Sequence, residues 1–157
     1  MKRILKMFIA FVLLTTPIFW LNCDGDNPAA IDLNDPSTFP GTYDLVSLTD
    51  KGGDFGVPDA TFTAGEPLQL FFQGVPILTI TITGSLVLTE TKYTITQSVE
   101  IAGGGTETET DTGTYFISGS TSSAISDDGG TETFTISVSG NRLTLENDEI
   151  KFVFEKQ

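Results

Sequence analysis

The sequence predicts an all-β domain over residues 41–157, an antiparallel up-and-down β-barrel of about eight to ten strands. Three observations support this fold class. Apolar and polar residues alternate with a period of two in one segment after another, as in strands with one face against a core. No apolar period near that of a helix persists after Gly41. Clusters of Gly, Asn, Asp and Ser separate the segments, so consecutive strands are expected to pair as antiparallel hairpins.

Residues 1–22 are predicted to be a lipoprotein signal peptide rather than part of the fold. Lys2, Arg3 and Lys6 form a positively charged start, and an uncharged, mostly apolar run extends from Met7 to Leu21. This run is shorter than the roughly 20 apolar residues that a comfortable membrane span requires. Acidic residues follow it instead of a basic stop-transfer cluster, which is the layout of a secretory signal.

The single cysteine of the chain, Cys23, stands where the apolar run ends. Its position resembles that of the lipidated cysteine of bacterial lipoproteins, which becomes the N-terminus after cleavage. The resemblance implies that Cys23 carries acyl chains such as palmitate and that its partner is a membrane. Plain secretion and an uncleaved membrane anchor are the alternatives. Plain secretion leaves an unpaired thiol where cysteines usually occur in even numbers. We expect a lipid-anchored protein of the bacterial cell envelope, in the outer membrane, on its periplasmic face or the cell surface.

Residues 23–40 are predicted to be the acylated N-terminus and a flexible tether. Pro28, Pro36 and Pro40 interrupt this stretch, and Asn and Asp residues occupy much of the rest, so no helical or strand period survives. Cleavage before Cys23 removes three basic residues and no acidic residue. The remaining acidic body repels anionic headgroups, so the lipid holds the protein while the domain stands off the surface.

The alternation is clearest in the segment ILTITITGSLVLTE, where Ile80 and Ile82 share one face and Thr79 and Thr81 the other. Gly84 within this segment marks either a tight turn or the bend of one long strand. The predicted strands are 43–49, 68–73, 77–83, 85–90, 92–101, 107–118, 121–126, 131–138, 142–146 and 149–155. Such strands form a closed barrel or a sandwich, and the barrel is favoured because closure removes exposed sheet edges.

Three segments of this domain resemble those of bacterial lipocalin-like lipoproteins. Residues 41–48 read GTYDLVSL, a glycine and an aromatic residue before an apolar run that contains serine. Residues 113–115 read GTY, and residues 139–145 read SGNRLTL ahead of a last apolar strand. The resemblance covers residues 41–157 and implies a calycin-type barrel. It implies no reaction and no particular ligand.

Charge and residue content exclude several classes of function. The chain has 8 Lys and Arg, 21 Asp and Glu, no His and a formal net charge of -13. A nucleic-acid partner is excluded because binding a polyanion requires a surplus of basic side chains. Ser-His-Asp, Cys-His and His-zinc sites cannot be built without histidine. Only carboxylate chemistry remains, and pairs of carboxylates arise by chance in so acidic a chain. We therefore expect no enzyme, no catalytic residues, no cofactor and no metal site.

Two acidic segments could still bind a cation. Asp50, Asp54 and Asp59 lie among glycines and could supply oxygen ligands to Ca²⁺, although no ligand spacing is enforced. The segment TETETDT, residues 106–112, could attract a metal or a polycation. The interpretation we favour for it is a strand whose charged outer face blocks edge pairing.

Aromatic residues are the candidate ligand site. The set is Tyr43, Phe72, Tyr93, Tyr115, Phe134 and Phe152. These residues either line a cavity or pack as core, because a small barrel can be filled by its own side chains. The leading hypothesis is an exported, membrane-anchored lipoprotein whose non-catalytic barrel is an envelope structural or binding module. The alternative is a carrier of a small apolar ligand, which a mostly apolar cavity of about 300 Å³ or more would favour. The sequence identifies no protein partner.

Overall fold

The computed structural model describes residues 30–53 and 59–157. In these residues a short 3-10 helix, Pro36–Thr38, precedes ten strands. The strands are β1 (Gly41–Asp50), β2 (Ala60–Thr63), β3 (Pro67–Phe72), β4 (Val75–Leu88), β5 (Lys92–Ile101), β6 (Gly105–Ser118), β7 (Thr121–Ser126), β8 (Thr131–Ser139), β9 (Arg142–Glu146) and β10 (Ile150–Lys156). The described residues contain no helix that is long and apolar enough to cross a membrane.

The strands form one antiparallel sheet in the order β2-β1-β10-β9-β8-β7-β6-β5-β4-β3. An additional pairing between the start of β1 and the end of β4 closes this sheet, with Gly41 opposite Leu88 and Asp44 opposite Ser85. Eight strands, β1 and β4 to β10, therefore form a closed barrel, while β2 and β3 lie beside the ring. The predicted all-β up-and-down barrel is confirmed over the sandwich, and its eight strands match the lipocalin architecture that the resemblance implied.

The predicted strands agree with the observed ones except in two places. The segments 77–83 and 85–90 belong to a single strand, β4, which contains Gly84. A Cβ at Gly84 would lie 2.7 Å from the carbonyl oxygen of Thr96, so this glycine permits a close approach of β4 to β5 rather than a turn. The second difference is β2, Ala60–Thr63, which is absent from the prediction because four residues give too short an alternation to stand out.

The alternation of apolar and polar residues predicts which face of a strand lies inside the barrel. Four apolar residues of β4 and β8 are buried, namely Ile80, Ile82, Phe134 and Ile136. On the opposite face, Thr133 and Thr135 are exposed, whereas Thr79 and Thr81 are half-buried. The register of these strands is therefore the one that the alternation predicts.

A bulge in β1 changes which residues of that strand face inward. Leu45 pairs with Phe154 and Ser47 pairs with the next residue along β10, Val153, so that Val46 is an extra residue. The insertion shifts the alternation by one position. Leu48, which follows the bulge, is consequently buried together with Leu45.

Part of the predicted tether packs against the barrel. Ile31 is buried, and its backbone N–H donates to the carbonyl oxygen of Gly140 at 3.1 Å. Phe39 is 1% exposed, and its carbonyl oxygen accepts a hydrogen bond from the Tyr43 hydroxyl at 2.5 Å. The prediction of a flexible tether therefore does not hold for residues 31–39. The predicted signal peptide and Cys23 lie outside the described residues.

Different turns lie at the two ends of the barrel. The buried segment around Phe39 lies at the end that carries the β4–β5, β6–β7 and β8–β9 turns, because Ile31 bonds to Gly140 in the β8–β9 turn. We call this the closed end. The β5–β6, β7–β8 and β9–β10 turns lie at the opposite end, where Lys51 at the start of the β1–β2 connection bonds to Glu149, and we call this the far end.

Candidate functional site

The interior of the barrel contains a cavity of about 570 Å³. Its volume lies within the range of small-molecule pockets, roughly 300–1,000 Å³. Inward-facing apolar residues of seven strands, β4 to β10, form most of its wall, among them Leu86, Ile95, Ile117, Phe134, Leu143 and Phe152. Phe39 from the buried N-terminal segment adds to them. The side chains of this barrel therefore do not fill it.

Four of the six predicted aromatic residues line this cavity, namely Tyr93, Tyr115, Phe134 and Phe152. Tyr43 instead belongs to the packed core: it is 0% exposed, and Lys156 lies over its ring at 5.9 Å. Phe72 is the last residue of β3, and its side chain lies outside the described part of the structure. Sequence reasoning missed Phe39, which no periodic pattern marks.

Tyr93 and Asp111 form a fixed polar group in the wall. Tyr93 of β5 lies opposite Gly113 of β6, where a Cβ would come within 2.8 Å of the tyrosine ring. The Tyr93 hydroxyl donates to Oδ2 of Asp111 at 2.8 Å, and the Ser126 hydroxyl donates to Oδ1 at 2.5 Å. Burial and the bond to Asp111 raise the pKa of Tyr93, so its phenol remains a hydrogen-bond donor at neutral pH.

Carboxylates form one part of the cavity wall, towards the far end. They are contributed by β6, β8 and the β7–β8 turn, and they are Glu109, Asp111, Asp127, Asp128 and Glu132. Asp127 accepts a hydrogen bond from the Thr112 hydroxyl at 2.7 Å. One side of the cavity is therefore acidic, whereas the remainder is mostly apolar.

The acidic side of β6 faces the interior, which corrects the prediction for residues 106–112. Glu109 and Asp111 have the same parity as Tyr115 and Ile117, and all four line the cavity. The threonines of the segment have the opposite parity, and the Thr110 hydroxyl shares a hydrogen bond with the Thr96 hydroxyl of β5. The expectation of a charged outer face is wrong for these two acids because the strand keeps one register over its whole length.

Glu109 and Glu132 differ from the other three carboxylates of the wall in their contacts with the described residues. Neither makes a hydrogen bond or a salt bridge within residues 30–53 and 59–157. Burial raises the pKa of Glu109 and of Glu132, and the neighbouring carboxylate of Asp111 raises both further. Each of these effects penalises the charged form of a carboxyl group.

No Lys or Arg is among the described residues that line the cavity. Basic side chains form salt bridges elsewhere, since Lys51 lies 2.5 Å and Lys151 3.7 Å from Glu146, and Arg142 lies 3.2 Å from Glu155. The acidic wall is thus not neutralised by the basic side chains of the described chain.

The possible calcium loop does not gather its ligands. Asp50 is buried and accepts the backbone N–H of Gly53 at 3.0 Å, and Asp59 precedes β2 with a φ of 58°. Asp54 lies outside the described residues. Over the described ranges, no group of three or more Cys, Asp or Glu side chains is placed to hold a metal ion.

Comparison with known proteins gives a similar structure but no matching family or curated protein. No protein-family model matches the chain, and no curated protein matches it. Among solved structures, it is similar to a lipocalin-like protein from Bacteroides uniformis, with 16% sequence identity and a TM-score of 0.45. The match covers 75% of this chain and 97% of that protein.

Proposed function

We propose that this protein is an exported, membrane-anchored lipoprotein whose barrel is a non-catalytic binding module for a small, largely apolar ligand. The observation that supports this proposal is the cavity of about 570 Å³. Protein interiors are close-packed, and voids larger than a water molecule are few. A purely structural barrel would be more stable with a filled interior, so the cavity favours the carrier hypothesis over an envelope structural role.

The placement of the cavity residues indicates how the ligand enters. The segment that contains Phe39 covers the closed end, and Phe39 is itself 1% exposed. The β7–β8 turn, residues 127–130, lines the cavity near the far end. A ligand would therefore enter past this turn and place its apolar part among residues such as Leu86 and Phe152.

Native mass spectrometry of the protein purified from its own host tests this function. We expect the wild type to retain a small molecule. Ala124 lines the cavity and Ile125, the next residue of β7, is 44% exposed. Ala124→Phe should abolish the retained mass by filling the cavity, and the control Ile125→Phe should keep it. A wild type without any bound molecule, or an Ala124→Phe variant that retains it, would contradict the proposal.

Anchoring is tested separately through Cys23. Cys23→Ala should abolish acylation, and it should move the protein from the membrane to a soluble fraction or leave an uncleaved precursor. The reason for this expectation is the single cysteine at the end of an apolar run. Fractionation and intact-mass measurement check it. A variant that fractionates and migrates like the wild type would show that the protein is not a lipoprotein.

A further inference from the structure

The cavity has two chemically different parts. Its apolar part includes Leu86, Phe134 and Phe152, which are all buried. Its polar part lies between the first half of β6 and the start of β8. This part includes Glu109, Asp111 and Glu132 among other acids. A wholly apolar ligand would fit the apolar part of the cavity. It would leave the carboxylates of the polar part facing either water or the apolar surface of the ligand, and the second contact is unfavourable. The wall therefore fits a ligand with a polar group at one end.

The carboxylates of this wall differ in how they are held. Both oxygens of Asp111 accept hydrogen bonds, from Tyr93 and from Ser126. This arrangement fixes the position of the carboxylate in the wall. Glu109 and Glu132 have no hydrogen-bond or salt-bridge partner among the described residues, so no described side chain holds their oxygens in place.

We propose that the ligand is an amphipathic organic cation, with its apolar body in the hydrophobic part of the cavity and an ammonium or amidinium group against Glu109, Asp111 and Glu132. This inference rests on the proposed binding function and names the ligand class of the same cavity. Charge-assisted hydrogen bonds to carboxylates are stronger than neutral ones. An anionic ligand would be repelled by the same wall, because no Lys or Arg of the described chain lines the cavity.

A metal ion is a poorer match than an organic cation. The described ranges contain no group of three or more side chains that could hold a metal ion. The wide apolar part of the cavity would also stay empty around a bare ion. An organic cation uses both parts at once, and burial of its apolar body adds to the attraction of the carboxylates.

Three probes of similar shape and different charge test this inference. They are naphthylethylammonium, naphthylethanol and naphthylacetate, titrated by calorimetry into the full chain in nanodiscs of neutral phosphatidylcholine, with empty nanodiscs as the blank. We expect the ammonium probe to bind about tenfold more tightly than the alcohol, and the carboxylate to bind more weakly than both. Calcium chloride is titrated in a parallel experiment, and we expect no saturable binding that depends on Glu109 and Glu132.

Variants locate the cation within the cavity. Glu109→Gln combined with Glu132→Gln should lower the affinity for the ammonium probe about tenfold and leave that for the alcohol within about twofold. Glu107→Gln is the matched control, because Glu107 lies on the same strand but is exposed and outside the cavity lining. It should change neither affinity by more than about twofold.

Failure of this inference is distinguishable from failure of the binding function. Equal affinities for the ammonium probe and the alcohol, an unchanged ammonium affinity in the double variant, or calcium binding that the double variant abolishes would overturn the cationic ligand. Binding of the neutral alcohol would leave the binding function supported. If none of the three probes binds, both proposals are overturned.

Discussion

Neighbouring residues of β4 show how sharply one position separates core from surface. Ile82 is 1% exposed, whereas Thr83, one position further, is exposed. A shift of the register by one residue would exchange the two faces of the strand. The energetic effect of truncating these two side chains therefore reports directly on which face is core.

Truncation at these positions should have very different effects on stability. Ile82→Ala should lower the free energy of unfolding by ~2–5 kcal/mol, through lost transfer energy and the space left behind. Thr83→Ala should change it by no more than about 0.5 kcal/mol, as is usual at exposed sites. Urea denaturation of both variants measures the difference. Equal losses would mean that the outer face of β4 is also covered.

At the scale of a strand, much of the fold could be predicted from the sequence because alternation is a local property. Most of the strands were predicted in this way. β6 shows the limit: Glu109 and Asp111 share the parity of Tyr115 and Ile117, but charged residues are so seldom buried that an outward face was the natural interpretation. Phe39 could not be found because a single apolar residue between Thr38 and a proline carries no period.

Gly113 determines how closely β6 approaches its neighbours. A Cβ at this position would lie 2.1 Å from the carbonyl oxygen of Ile125 and 2.8 Å from the Tyr93 ring. Gly113→Ala should therefore lower the free energy of unfolding by ~1–3 kcal/mol, as is typical of overpacked interiors. Thermal or urea unfolding followed by far-UV circular dichroism measures this loss.

Gly52 provides the control for this substitution. A Cβ at Gly52 would meet nothing closer than 3.7 Å, and its φ is not in the left-handed region. Gly52→Ala should change stability by no more than about 0.5 kcal/mol. A Gly113→Ala variant as stable as Gly52→Ala would show that β6 and β7 can separate at no cost, contrary to the close contact described above.

For the whole molecule, the closure of the barrel and the filling of its interior depend on properties that no local sequence pattern contains. Closure requires β1 to pair with β4, and these two strands are distant in sequence. The alternation alone therefore does not distinguish a closed barrel from a sandwich. The cavity depends on how the volumes of side chains from many strands add up, so the same aromatic residues were compatible with a packed core. The carboxylates in the wall are a further global feature, because their burial opposes stability while it provides a site for a cation.

The burial of these carboxylates predicts how the stability of the protein depends on pH. The pKa values of Glu109 and Glu132 are raised above the ordinary value of 4.5 by burial. Their protonated forms therefore favour the folded state, and this contribution is present at low pH and lost as the pH rises through the raised pKa values. The variant with Gln at both positions stays neutral, so it should be more stable than the wild type at neutral pH. The difference should vanish as the pH falls below the ordinary glutamate range.

Urea denaturation over a series of pH values from about 4 to about 7 measures this difference. Glu146 affects the pH dependence of stability in the opposite direction. Its bond to Lys51 lowers its pKa, so its contribution to stability is lost at low pH. Both proteins retain Glu146, so its effect cancels in the comparison. Glu107→Gln, on the exposed part of β6, controls for the general relief of negative charge. A stability difference that is independent of pH, or that Glu107→Gln reproduces, would contradict a half-buried acidic wall in the cavity.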